Sequence, residues 1–315
     1  MNSKKLTDGA MLTALYIVLL LIALFVPFIS FVAAFVLPVP VIMYAARYHW
    51  KSVAIMIGAI LVLSSLFATF LSLPVTVLTC LGGIMIGAAI HNGLSAYETW
   101  ARGSIGFVLG LLFTFLFSQI IFDVNWINEL NAMLTESMQM SQNIMNQFGL
   151  GQLTEEEMNI VKEQISMITN LLPVGLAIMA IIFAFISQWV AYKVINRLYQ
   201  KRLAFPPFRT LRFPVALIWI YFLSLIITFF DLDSSGTLYL AVNNIMWLTG
   251  ILMTLQGFSF IFFYAHQKNI SKALPILSVV LSFFFPFFLL YLVRLLGIID
   301  IGFGLRDRIG DKGNK

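Results

Sequence analysis

Three histidines, His49, His91 and His266, and one cysteine, Cys80, are the side chains best suited to holding a metal or attacking a substrate. Each histidine ends a different apolar segment, without the neighbouring Cys or carboxylate ligands that a zinc site takes. His-Glu-x-x-His, Gly-x-Ser-x-Gly and Gly-x-x-x-x-Gly-Lys are all missing, so metalloprotease, hydrolase and phosphate-loop chemistry have no carrier. The expectation is a protein that is not an enzyme and uses no metal or cofactor. Cys80 is a single cysteine and forms no intrachain disulfide.

Reversible binding is the chemistry that remains. Asp123, Asn125, Trp126 and Asn170 flank one polar stretch, and Asn243, Asn244 and Trp247 stand near the start of a later apolar segment. Amides offer donors and acceptors, and indoles stack on planar rings while donating one hydrogen bond. That set suits a small neutral or cationic heterocycle. The other reading is anchorage, because Trp and Asn also fix helices at a membrane interface. Gln119, Gln188 and Gln256 lie deeper and are expected to bond between helices. Arg294 is an ionisable residue within an apolar segment, which marks either function or a side chain snorkelling to the interface.

The elements that must position these residues are set by composition. Hydrophobic residues make up 60% and charged residues 10%, and mean hydropathy is +0.95, a membrane-protein balance. A span takes about 20 apolar residues. Such segments run near 9–29, 31–46, 52–71, 74–91, 104–122, 173–195, 213–230, 238–264 and 274–299. The fold class is therefore all-α, a polytopic transmembrane helix bundle of 8–9 spans with an external amphipathic helical insert. The first segment follows Lys4 and Lys5, exceeds a signal-peptide core and lacks a convincing cleavage site, so it is read as a retained helix.

Charge orients the bundle. Lys4, Lys5, Arg47, Lys51, Arg102, Lys193, Arg197, Lys201, Arg202, Arg209, Arg212, Lys268 and Lys272 fall at one set of ends, and Lys162 alone at the other. The positive-inside rule then places the N-terminus in the cytoplasm of a multi-pass cell-membrane protein. The net charge of +5 is dispersed over short loops, which argues for anionic lipid headgroups as partners and against nucleic acid. The loop from Lys201 to Arg212 mixes cations with aromatics around Pro206 and Pro207, and reads as lipid contact or as a dock for a cytoplasmic partner.

Two segments carry faults. Pro38 and Pro40 interrupt the second, and Pro286 divides the last, where proline removes a helix hydrogen bond. A single crossing of 274–299 would put the polar tail 300–315 outside and give nine spans, and is preferred; re-entry would keep the tail inside. The insert 123–172 reads as two amphipathic helices. In the first, Trp126, Leu130, Met133, Leu134, Ile144, Met145 and Phe148 recur before Gly149 and Gly151. In the second, Thr154 and Glu157 have capping-box spacing. It either rests on the external bilayer or bundle, or forms a lid over an outward-facing cavity.

Small residues four apart share a helix face and let helices approach closely. Gly83 with Gly87 and Gly106 with Gly110 are read as internal packing, whereas Ala10 with Ala14 follows the charged start and is a candidate contact for a partner helix. The opening from Leu6 to Tyr16 resembles the first helix of S components of energy-coupling factor vitamin transporters, in which an Ala-x-x-x-Ala face meets a transmembrane coupling subunit. The whole chain resembles the YybS-like family of predicted bacterial membrane proteins, distantly similar to those S components. That resemblance implies a six-helix bundle over 1–122 and 173–195, with 196–299 as additional transmembrane segments. It further implies a substrate-binding subunit of a small-molecule transporter that depends on a coupling subunit and ATPases, its ligand unknown. Three extra apolar segments and a longer insert depart from that pattern. They leave a non-transporting membrane scaffold or regulator as the alternative.

Overall fold

The computed structural model describes residues 3–148, 154–230, 232–233 and 236–311. Gly149, Gly151, Asp231, Lys312 and Lys315 fall outside them. All regular structure among the described residues is helical. Among the described residues seven helices are long and apolar enough to cross a membrane, and shorter apolar stretches span 30–45, 216–227 and 273–284. The chain forms two compact units, Met1–Phe205 and Pro206–Lys315.

Unit 1 begins with α1 (Ser3–Phe25), then the short α2 (Ser30–Val36) and α3 (Val39–Ala45), then α4 (Trp50–Phe67). Leu37 and Pro38 keep helical dihedrals, so α2 and α3 form a kinked rod; Pro38 and Pro40 supply no backbone N–H to hold it straight. Every residue of α3 is buried, which makes this imperfect helix the centre of the unit. α5 (Leu73–His91) starts after Thr69, whose φ of 66° ends the preceding helix, and carries Pro74 in its first turn, where a missing N–H costs little. α6 (Ala96–Phe122) is opened by a capping box between Ser95 and Glu98 and closed by Asp123 in a left-handed conformation, φ 55°.

The insert forms α7 (Trp126–Gln147) and α8 (Glu155–Asn170), and α9 (Leu172–Tyr199) completes the unit. Both insert helices form, and the capping box expected at Thr154 is present, its hydroxyl accepting from the Glu157 amide at 3.3 Å. In a bilayer the lipid chains are as apolar as leucine, so close van der Waals packing has to hold the helices together. Glycine permits it. A Cβ on Gly83 would meet the Pro38 carbonyl at 3.2 Å, and one on Gly87 the Ile42 carbonyl at 2.7 Å, both on the 30–45 rod. Gly106 and Gly110 lie likewise against the backbone of α5 at Leu81 and Leu78.

Unit 2 holds α10 (Ala216–Ile227), α11 (Thr237–Gln267), α12 (Ala273–Phe284), α13 (Pro286–Phe303) and α14 (Leu305–Asp311). The seventh apolar segment yields only the twelve residues of α10, about 18 Å of helix, because Pro214 and the extended residues before it delay the start. α11 and α13 cross where Gly257 faces the Val293 carbonyl and Gly297 faces the Met253 carbonyl, leaving no room for a Cβ at either glycine.

The preferred single crossing of 274–299 is corrected by the C-terminal contacts. Only five residues separate the end of α11 from the start of α12. Past α13, the Arg306 guanidinium donates to the carbonyls of Arg209 (2.8 Å) and Leu211 (3.1 Å), in the loop that precedes α10, and to Ser259 in the last third of α11. Both ends of the α12–α13 pair therefore lie at one face of unit 2. The chain turns back between them at Phe285 and Pro286, since Pro286 has no N–H to continue α12.

Candidate functional site

The small-residue pairs differ in what covers them. Those on α5 and α6 are engaged inside unit 1, whereas Ala10 and Ala14 are exposed. They line a groove of about 290 Å³ whose other wall is Ser52, Ile55, Met56, Ala59 and Leu63 of α4. The opposite stripe of α1, including Leu12, Tyr16 and Leu20, is buried. The groove's polar end is fixed: Arg47 and Tyr48 both donate to the Asp8 carboxylate, at 2.8 and 2.5 Å, and the Tyr44 hydroxyl donates to the Lys5 carbonyl at 3.1 Å. Gly9 fits beside the Tyr44 ring, where a Cβ would come within 3.2 Å of the hydroxyl. The result is a mainly apolar groove along the face of a membrane-length helix.

A second groove, about 450 Å³, separates α7 from α8. Four amides line it, Asn131, Gln139, Gln142 and Asn170, with the hydroxyls of Thr135, Ser166 and Thr169 and the side chains of Met138 and Met158. Thr169 donates to Asn131 Oδ1 at 2.8 Å, which ties the two helices together. Among the described side chains its lining holds no lysine or arginine. Such a surface matches the hydrogen bonds of a neutral polar molecule.

The residues singled out for solute binding are distributed as follows. Asp123 is the exposed left-handed residue ending α6. Asn125 caps α7, its Oδ1 accepting from the amides of Ile127 (3.1 Å) and Asn128 (3.2 Å). Trp126 donates from Nε1 to Ser118 Oγ at 2.6 Å. Asn170 lines the α7–α8 groove. Asn243, Asn244 and Trp247 belong to α11 of unit 2, where Asn244 donates to the Leu240 carbonyl at 2.7 Å. Only Asn170 lines the amide groove. Its partners Asn131, Gln139 and Gln142 read in the sequence as polar positions of an amphipathic helix, although intervals of eight and three place them on one side of α7.

The deeper glutamines divide. Gln188 is fully buried and donates to the Ala96 carbonyl at 2.9 Å and to the Tyr192 hydroxyl at 2.8 Å. Gln256 joins three segments, donating to Asp300 and accepting from the Phe213 amide at 3.0 Å. Gln119 corrects the expectation of a bond between helices: it sits on an exposed side of α6. Of the histidines, His49 and His91 line one cleft in unit 1 and His266 stands in unit 2. The described residues hold no group of three metal-ligating side chains.

Unit 2 contains an ion pair that sequence reading passed over. Arg306 Nε lies 2.8 Å from Asp300 Oδ2, with both side chains 2% exposed. Gln256 adds a bond to the same carboxylate, and Arg306 stacks 5.3 Å from the Phe263 ring. Asp300 and Arg306 both fall in the polar tail 300–315, where spacing alone does not signal a buried pair. Arg294, the ionisable residue noticed in a span, lies with its guanidinium beside Gly250, and its buried Nε has no hydrogen-bond partner among the described residues.

Fold and surface together define an integral membrane protein with several membrane-length apolar helices. The chain belongs to the DUF2232 family of predicted membrane proteins, which matches residues 14–301. It is 28% identical over 309 residues to the uncharacterized protein YybS of Bacillus subtilis (strain 168), covering 98% of this chain and 99% of that one. No solved structure matches it.

Proposed function

We propose that this chain is a membrane subunit that docks a second membrane protein along the exposed face of α1, and that it serves as an S-component-like solute-binding subunit of a transporter whose ATP hydrolysis resides elsewhere. The observation carrying the proposal is the contrast among small-residue pairs: those on α5 and α6 are covered, and Ala10 with Ala14 is open beside α4. In a bilayer such a face gains most by close packing against another helix. The amide-lined α7–α8 groove supports the solute-binding part, for a neutral or cationic molecule. The charge distribution supports a cell-membrane protein with a cytoplasmic N-terminus. On this reading the chain performs no covalent chemistry of its own.

A second reading, a non-transporting scaffold or regulator, draws on the filled centre of unit 1, where Tyr16, Tyr44, Ile42, Ile60, Ile86 and Phe107 are all fully buried. It shares the α1 contact and dispenses with the solute. Affinity purification of the tagged chain from its native membrane, beside Ala10→Trp and Ala14→Trp, separates the readings. A coupling subunit with ATPases retained by wild type and lost from both variants supports the transporter. A non-transport membrane partner lost from both supports the scaffold. Identical partners for all three chains would end the α1 proposal.

A further inference from the structure

We propose that unit 2 carries a binding site for one anionic phospholipid, its phosphate held by Arg209 and Lys272 and its acyl chain laid along α12. The site is a cleft of about 480 Å³ between the loop before α10, the last turns of α11 and the first turn of α12. Arg209, Lys272 and His266 line it, and no acidic residue does among the described residues. Neither Arg209 nor Lys272 has an ion-pair partner among the described residues. Two uncompensated cations in one cleft call for an anion.

The walls say which anion. Phe208 and Phe262 meet edge to face at 5.6 Å, and Ile276 closes the α12 side. From Ile276 the apolar surface continues down one face of α12 through Val280 and Phe283, at 54%, 43% and 82% exposure. An inorganic phosphate would use the cations and leave this surface unused. A phospholipid uses both, and the cleft lies where the apolar helices α11 and α12 meet a basic turn, at the depth of headgroups.

The loop that presents Arg209 is already fixed. Buried Arg306 holds its carbonyl and that of Leu211, and Ser259 donates to the Phe208 carbonyl at 2.8 Å. A pre-ordered loop loses less entropy when the headgroup arrives, which favours one defined lipid over a diffuse annulus.

The test uses the full chain in neutral detergent, with native mass spectrometry and thermal melting read together. Phosphatidylglycerol is titrated beside phosphatidylcholine of the same acyl chains and beside free glycerol 3-phosphate. The expected result is a retained 1:1 phosphatidylglycerol adduct with a rising melting temperature, and neither effect from the other two. Arg209→Gln with Lys272→Gln should weaken that adduct about thirtyfold, and Ile276→Asp should weaken it with both cations intact. Arg102→Gln, a charge change in unit 1, should leave it unaltered. The proposal is overturned if the Arg209/Lys272 double variant binds as wild type does, if Arg102→Gln costs as much, or if glycerol 3-phosphate binds equally well. With Lys272 exposed and Arg209 half-buried, the glutamine variants should melt as wild type does without lipid. A double variant that melts early is replaced by the two single changes, and undiminished binding by both would equally overturn it.

Discussion

Arg306 and Asp300 show how much a residue's environment can change its meaning. Each is charged, each is buried to 2% exposure, and together with Gln256 and Ser259 they satisfy one another and the carbonyls of the loop before α10. Removing one member leaves the other charge buried and unpaired, so Arg306→Met should cost about 3–5 kcal/mol in stability, read by thermal or denaturant unfolding. Adding Asp300→Leu to Arg306→Met should recover part of that loss, because a buried pair replaced by apolar groups is frequently neutral. A double variant as unstable as the sum of the singles would refute the pairing.

Glu157 gives a pH dependence at the same scale. Hydrogen bonds from the Thr154 amide and then its hydroxyl hold the carboxyl below its ordinary value. Its folded pKa is depressed, so the cap is in full effect above the ordinary carboxylate pKa and is lost as pH falls through the lower folded value. The Thr154 and Glu157 amide resonances should shift together in that acid range. Thr154→Ala should abolish the shared transition.

At the scale of elements, the glycines set which helices touch. Gly257 and Gly297 have backbone oxygen where a side chain would go. Gly257→Ala must therefore separate α11 from α13, with an expected loss of about 1–3 kcal/mol by overpacking. Gly58 and Gly175 have open space and should accept alanine with far smaller effect on melting. Ala10→Trp belongs with the tolerated changes as far as folding is concerned, since it points into the open groove of α1. The Ser95 and Glu98 capping box is legible in the sequence as a Ser-x-x-Glu spacing before an apolar run. By contrast, the shortness of α10 was obscured by hydropathy, which counts apolar residues and is insensitive to the extended backbone around Pro214.

At the scale of the whole molecule, the return of α12–α13 makes a topological prediction. With Cys80→Ser as background, Thr210→Cys and Arg308→Cys should both react with an impermeant maleimide added from one side of sealed vesicles, and neither from the other. Labelling from opposite sides would require α13 to cross away from the 206–213 loop and would break the Arg306 contacts.

The sequence by itself determined the membrane class, the helical content, the amphipathic insert and its Thr154 cap, because apolar run length, charge at segment ends and capping spacing are local properties of a chain in a bilayer. It also isolated Ala10 with Ala14 as a helix face of small residues. Three matters waited for the tertiary structure: that this face stays open while Gly83, Gly87, Gly106 and Gly110 are covered, that Asp300 reaches Arg306 with Gln256, and that the chain turns back at Pro286. Each depends on which helices become neighbours. Hydropathy carries no such information, because every apolar helix face is equally at ease in lipid until close packing or a buried hydrogen bond selects its partner.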